Sequence, residues 1–219
     1  MSILKIRSAL EIAFNALPNI IPNVSITSSA PGANGTAAVF TTAVPHLLIN
    51  GVNATISGHI GSTPALNGAY TITVTGPSTF TAANAATSAA VTATVGGTGG
   101  LVSANLIAWE NVMFPTNYPA PYQKINFLFA TPQNPTFGGL FSREIGFMQV
   151  TLYYPIQRGT FDIMTRAELI RTAFSRGTSF INGGIVVNIS SKPVIMPGAV
   201  QDEVYIVPIK IPYWADLFS

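Results

Sequence analysis

The chain has 219 residues, of which 48% are hydrophobic and only 8% are charged, against about 25% charged residues in ordinary soluble proteins. It contains no cysteine, which excludes disulfides, thiolate metal sites and cysteine nucleophiles. The formal net charge is +2 and no run of basic residues occurs, so the composition does not indicate a nucleic-acid-binding protein. So few charges favour association between subunits over a freely soluble monomer.

The charged residues are unevenly distributed along the chain. Residues 12–109 contain no Asp, Glu, Lys or Arg, and every charged residue lies before or after this segment. Charge distribution is a property of whole domains, so the discontinuity predicts a domain inserted into another domain. We assign residues 1–23 and 105–219 to a discontinuous host domain and residues 24–104 to an inserted all-β domain.

The first predicted element is an amphipathic helix over residues 2–17, ended by Pro18. Its polar face is not rich in Lys or Arg, which favours a helix packed on a core over one lying on a membrane surface. Neither a signal-peptide core nor a run of about 18 apolar residues occurs, so we expect no membrane span. One apolar stripe is formed by Ile3, Ile6, Leu10, Ala13, Phe14 and Leu17.

The neutral segment is predicted to be β throughout, as a small sandwich or barrel of immunoglobulin-like type. Short runs rich in Val, Ile and Thr are separated by Gly, Asn and Pro. The glycine-rich residues 96–100 are interpreted as a linker leaving the insert. They lack the Lys-Ser/Thr of a phosphate-binding loop. The predicted strands are residues 36–42, 52–57, 69–74, 79–82 and 90–95.

In the host, helical and strand patterns alternate, which predicts an α+β fold with two helices packed on a mainly antiparallel sheet. Residues 147–154 alternate most clearly, with Val150 on the apolar face. A helix is predicted over residues 162–176, with Asp162 as its N-cap and Gly177 beyond its end. Pro208 requires an edge position or a bulge in the last strand. The other predicted strands are residues 106–109, 124–130, 184–190 and 203–211.

No convergent reactive groups stand out in the sequence. The two histidines, His46 and His59, lie in the neutral segment without a carboxylate to orient them. His46 follows a proline, which favours a surface or turn position, and a metal site would lack a third ligand. The carboxylates are explained by capping and surface pairing. We therefore predict a protein that is not an enzyme, with no catalytic residues, metal ligands or cofactor.

The host segments contain an ordered set of short motifs: Ile107-Ala108-Trp109-Glu110-Asn111-Val112, Pro121-Tyr122, Arg143-Glu144-Ile145-Gly146, Val150-x-x-Tyr153-Tyr154-Pro155, Phe174-Ser175-Arg176-Gly177 and Ile211-Pro212. This set resembles the tail-terminator-like proteins of long-tailed bacteriophages over nearly the whole host. The resemblance implies an α+β protomer that forms a ring, usually a hexamer. Such a ring caps the finished tail tube and joins it to the head, and the family supplies no catalytic residues.

The insert resembles a β module that recurs in phage structural proteins. The resemblance lies in residues 36–42, 54–58 and 67–74, and in Pro45-His46. The usual pattern of that module is His-Gly-Leu, whereas here Leu47 follows His46 directly. Tail-terminator-like proteins commonly lack such an insert, so the resemblance of the host implies no role for it.

We therefore expect a virion protein at the junction of tail and neck, made in the bacterial cytoplasm. The resemblance implies a hexameric homo-oligomer as partner, together with a tail tube protein and a head-completion or neck protein, while DNA passes only as cargo. An alternative is a surface decoration protein or adhesin whose insert binds a receptor or a glycan. Location on the virion distinguishes these hypotheses.

Subunit contacts are expected in two loops rich in Pro and Gly, residues 114–121 and 134–142, because margin loops reach a neighbour without disturbing the core. Arg143 and Glu144 follow the second loop and are interpreted either as a local salt bridge or as a contact between subunits. The candidate contact residues are Arg143, Glu144, Phe114, Pro121 and Phe137.

Overall fold

The computed structural model describes residues 2–32, 36–85, 87–111, 121–134, 141–157 and 159–218. This described part is mostly β and contains two α-helices. By its contacts the chain divides into two compact units. One comprises Met1–Pro18 and Ile107–Ser219 and is called the sheet unit below; the other, Asn19–Leu106, is called the barrel unit. Independent folding of either unit remains a prediction.

The barrel unit is a closed barrel of antiparallel strands in the order β1-β2-β5-β4-β3-β6. Closure leaves no free edge strand. Strand residues alternate between the interior and the solvent, as in Asn53–Ser57, where Ala54 and Ile56 are buried. The strands are β1 Ile21–Ala30, β2 Val39–Thr42, β3 Asn53–Ser57, β4 Gly68–Gly76, β5 Thr79–Asn84 and β6 Leu101–Ala104.

Two aromatic rings fill the centre of the barrel. Phe40 on β2 and Phe80 on β5 are register partners and fully buried, and their rings stack with centroids 5.1 Å apart. Aromatic pairs at this separation add to the stability that burial of their area provides. Ile26, Ile56 and Ile72 are also buried, so adjacent strands contribute to one core.

Two predictions for this unit are wrong. Residues 90–95 form no strand and make isolated bridges from Ala90 to Ala83 and from Val95 to Thr63. The glycine-rich residues 96–100 are not a linker that leaves the unit. The Gly97 carbonyl accepts the Ser29 N–H, the Gly97 N–H donates to the Ser29 hydroxyl, and Thr98 bridges to Ile60. Glycine composition alone does not reveal that a segment packs against two strands.

The sheet unit contains both helices and an eight-stranded sheet with the order β10-β11-β14-β9-β8-β7, in which two short strands, β12 and β13, also pair with β14. The pair β7–β8 is parallel and the other pairs are antiparallel. The elements are α1 Ser2–Asn15, β7 Ile107–Trp109, β8 Tyr122–Phe129, β9 Phe141–Pro155, α2 Phe161–Ala173, β10 Ser179–Asn182, β11 Ile185–Ile189, β12 Val194–Ile195, β13 Ala199–Gln201 and β14 Val204–Phe218.

Strands β9 and β14 form the centre of this sheet and pair along their whole length, from Phe141 to Pro155. Successive side chains point to opposite faces, so the even-numbered residues of β9 share a face with the odd-numbered residues of β14. That face is the core face. It carries the fully buried residues Met148, Val150, Leu152, Ile209, Ile211 and Tyr213.

Both helices pack on the core face of the sheet. Phe14 of α1 lies next to Phe174, just beyond α2, with ring centroids 6.2 Å apart. Ile3, predicted to belong to the apolar stripe of α1, is 45% exposed, because the stripe meets the sheet only from Ile6 onwards. Helix α2 is capped by Thr160 rather than by the predicted Asp162, and it ends before the predicted Arg176.

Pro208 does not lie on an edge strand, contrary to the prediction. It faces Thr151 of β9, and its carbonyl accepts a hydrogen bond from Met196 on the other side. On that other side β14 pairs with β13 up to Ile206 and with β12 from Ile209 onwards. The proline therefore lies opposite the gap between β13 and β12. No backbone hydrogen bond of the sheet requires an N–H at position 208 there.

The aromatic C-terminal segment belongs to β14. Tyr213 is fully buried in the core of its own unit, and its ring lies so close to Gly146 that a Cβ there would be 2.7 Å from the Tyr213 hydroxyl. A side chain at position 146 would therefore displace the ring. Phe218, at the end of the strand, is 80% exposed.

Candidate functional site

No catalytic or metal constellation is present in the described part of the chain. No group of three or more His, Cys, Asp or Glu side chains lies close enough to hold a metal ion among these residues. None of the helices within the same ranges is long and apolar enough to cross a membrane.

His59 is buried, with 2% of its surface exposed, and serves the barrel structure. Its Nδ1 lies 2.7 Å from the Gly99 carbonyl, which only accepts, so Nδ1 carries the proton. Nε2 then accepts from the Ser29 hydroxyl at 2.8 Å, and the Ser29 oxygen accepts from the Gly97 N–H at 2.9 Å. The network joins β1 to the glycine-rich segment. Ser29 and His59 are both buried, with 6% and 2% of their surfaces exposed, so the Ser29 hydroxyl is not presented to a substrate.

His46 is also buried, with 1% exposed, and the prediction of a surface position is wrong. Its Nδ1 accepts the Leu48 N–H at 3.0 Å, and its Nε2 donates to the Thr79 carbonyl at 3.3 Å. The ring stands edge-on to Phe80 at 5.4 Å. Burial lowers the pKa of His46, and this exceeds the opposing effect of the backbone contacts at Thr79 and Gly76. The neutral ring is thus part of the barrel core.

Arg143 forms a close pair within its own chain. Its Nε and Nη2 donate to the two carboxylate oxygens of Asp216 at 2.7 and 2.9 Å, and its guanidinium lies 4.3 Å from the centre of the Trp214 ring. Hydrogen bonding to Asp216 is the main cause that raises the pKa of Arg143. The pair remains partly exposed on the face of the sheet opposite the helices.

Glu144 lies on the other face of the same strand. Its register partner is Ala215, a core residue, whereas the partner of Arg143 is Asp216. No ion pair of the Glu144 carboxylate occurs within the described ranges. Burial, with a smaller effect from Glu144, raises the pKa of Tyr213 to about 12. A direct pair between Arg143 and Glu144 of one chain is therefore disfavoured by the strand geometry.

Of the other candidate contacts, Pro121 alone lies within the described residues. Pro121 is half-buried and immediately precedes β8. Phe114 and Phe137 lie outside the described residues, as does most of the two loops that were predicted to meet a neighbour. These contacts stay predictions.

The sheet face opposite the helices carries aromatic rings and cations, and we call it the aromatic face. The ammonium group of Lys210 lies 4.1 Å from the centre of the Phe147 ring. Tyr122 and Tyr153 stack with their centroids 4.5 Å apart and their planes at 3°. With Arg143 on Trp214, these pairs give a rigid surface with amphipathic side chains, of the composition typical of interfaces. The sequence showed only that this face of β9 was mixed.

Sequence reasoning missed Arg166, which is buried on α2 with 6% exposed. Its Nε and Nη2 donate to the Gln123 Oε1 at 3.2 and 3.0 Å, and its Nη1 donates to the carbonyl of Pro18. Burial lowers the pKa of Arg166. No carboxylate within the described ranges forms an ion pair with it. Arg166 thus holds the chain just after α1 by hydrogen bonds alone.

Comparison with known proteins identifies one family. A family model described as "Phage tail terminator protein" matches residues 80–213, more than half of the chain. No curated protein matches the chain. A solved structure whose name states no function aligns with a TM-score of 0.44 and 19% identity, covering 52% of this chain and 81% of that one. A likeness at that level carries no argument about this protein.

Proposed function

The chain belongs to the phage tail terminator protein family, and from this premise we propose that its subunits close a ring on the end of the tail tube. Membership of the family makes it a structural phage tail protein of the virion. In the proposal, the ring is hexameric, stops polymerisation of the tube and joins the tail to the head or neck. The match of the family model over residues 80–213 carries the proposal.

We further propose that the sheet unit is the α+β host of this ring and that the barrel unit is an inserted all-β domain. A cyclic ring brings two different patches of identical subunits together. The aromatic face, with its partly exposed rings and cations, suits one of these patches, because aromatic side chains and Arg are enriched at interfaces. The partners are then further copies of the chain, the tail tube protein and a head-completion or neck protein.

Deleting the corresponding phage gene tests the proposal directly. We expect tails of irregular length that fail to join heads, because an uncapped tube keeps adding subunits. The measurement is tail length by electron microscopy, with complementation by the intact chain as control. Normal tails of fixed length in the null mutant would contradict the proposal. Immunogold labelling separates it from the decoration or adhesin alternative, which requires a distal or surface location.

Charge exchange tests Arg143 as a subunit contact. Arg143→Glu should leave the fold intact and lower the melting temperature only slightly, because the pair with Asp216 is partly exposed. We expect this variant to lose ring assembly in analytical ultracentrifugation. The double variant Arg143→Glu/Asp216→Arg restores the pair within the chain and should recover the melting temperature but not the ring. Recovery of the ring in the double variant would assign Arg143 to local stabilisation alone.

A further inference from the structure

We infer that the segment His46-Leu47-Leu48, between β2 and β3, stays bound to the barrel only while the His46 ring is neutral. Protonation of the ring at low pH releases it. The residues involved all lie in the barrel unit, and the inference does not depend on the proposed ring. It rests on the hydrogen bonds of one ring, the backbone conformation of one residue and the absence of charge around both.

The His46 ring holds this segment in place through hydrogen bonds at both of its nitrogens. Nδ1 accepts the N–H of Leu48 at 3.0 Å, two residues further along the chain, and Nε2 faces the Thr79 carbonyl of β5 at 3.3 Å. The backbone N–H of His46 also donates to the Pro77 carbonyl at 3.1 Å. A second proton on the ring would have to sit on Nδ1, where it meets the Leu48 N–H. Two donors would then face each other, and the bond would be lost.

Leu47, between the two bonded residues, has a strained backbone. Its φ is +54°, in the left-handed region that a leucine adopts only at a cost. Glycine, which lacks a Cβ, would adopt this conformation freely. The hydrogen bond from the Leu48 N–H to the ring therefore stabilises a strained conformation of Leu47. Once this bond is lost, the strain favours opening of the segment.

No charged side chain in the barrel unit stabilises a charged His46. Residues 19–106 contain no Asp, Glu, Lys or Arg, and the other ionisable side chains of this unit are His59 and Tyr70. The groups around the ring are the Thr79 and Gly76 backbone, the Leu48 N–H and the Phe80 ring. None of these carries a full charge, and the backbone contacts at Thr79 and Gly76 favour the charged ring less than burial disfavours it.

The sign of the pH effect follows from burial. Burial lowers the pKa of folded His46 from 6.5, so the open or unfolded turn binds a proton more readily than the closed turn. Stability of the closed turn is fully present above about pH 6.5 and is lost as the pH falls from there toward the folded pKa. With one proton involved, the equilibrium constant for opening rises up to tenfold for each pH unit within that window.

Hydrogen exchange at the Leu48 amide of the full chain measures this opening, after correction for intrinsic exchange rates. We expect protection at Leu48 to fall by up to tenfold for each pH unit below about 6.5. Amides in the sheet unit, such as that of Val150, serve as an internal reference. Constant protection at Leu48 between pH 7.5 and pH 5 would overturn the inference.

Two variants distinguish the effect of the His46 ring on hydrogen exchange from the effect of the backbone strain at Leu47. His46→Asn keeps an oxygen that can accept the Leu48 N–H and cannot gain a proton, so its protection should not vary with pH. Leu47→Gly should raise protection at pH 7.5 while keeping the pH dependence. A pH dependence that persists unchanged in His46→Asn contradicts the inference.

A measurement on the unmodified chain guards against variants that do not fold. Nitrogen chemical shifts of the His46 ring at pH 7.5 should show the neutral form with the proton on Nε2. A ring that is charged, or protonated on Nδ1, at this pH would overturn the inference without any substitution.

Discussion

Replacing Val150 with aspartate is expected to destabilise the sheet unit severely. Val150 is fully buried in the middle of β9, with Ile125 of β8 and Ile209 of β14 as its register partners. A carboxylate there would have no partner in this apolar layer, and the cost is about 4 kcal/mol or more. That is a large part of the 5–15 kcal/mol that typically stabilises a domain.

Gln149→Asp is the matched control for that change. Gln149 lies next to Val150 but on the aromatic face, where its register partner is Lys210. The same carboxylate would then sit near a cation and water, with an expected effect within about 1 kcal/mol. Urea unfolding followed by circular dichroism compares the two variants. Equal stability of both would show that the faces of β9 are assigned wrongly.

Replacing Arg166 with methionine is expected to lower the free energy of unfolding by about 2–4 kcal/mol. Methionine fills much of the same volume but supplies no donors, so the Gln123 Oε1 loses two of its hydrogen bonds and the Pro18 carbonyl loses one. Both acceptors lie where water does not easily replace the guanidinium, because Gln123 is fully buried and Arg166 is nearly so.

Arg171→Met provides the control on the same helix. Arg171 pairs with Glu168 at 2.7 Å, and the two side chains are 31% and 50% exposed. An exposed pair three residues apart contributes only about 0.3–0.5 kcal/mol. Unfolding midpoints in urea measure the difference between the two substitutions. A loss at Arg166 no larger than at Arg171 would show that the buried hydrogen bonds contribute little.

The faces of the sheet could be predicted from the sequence because they depend on local alternation. Residues 147–154 alternate with the period of a strand, and the structure buries Met148, Val150 and Leu152 on one face as that pattern requires. This inference needs no knowledge of distant partners.

Arg166 could not be found in the same way, because its burial depends on residues far away in sequence. Arginine is normally exposed, and its acceptors Gln123 and Pro18 lie 43 and 148 residues away. His46 was misplaced for a related reason. Its local context, after a proline, indicated a turn, which is present, but only contacts with β5 show that the ring points inward.

The neutrality of the barrel unit has a consequence for the rates at which it meets other molecules. Residues 19–106 contain no Asp, Glu, Lys or Arg, so this unit adds little to any long-range electrostatic field, and electrostatic steering has little effect on its encounters. Salt screens interactions between charges over a Debye length of about 8 Å at physiological ionic strength. Because this unit has so few charged groups, added salt has little effect on it. Association through this unit should therefore proceed at the same rate in dilute and concentrated buffer, and a nearby DNA strand would be neither attracted nor repelled by it.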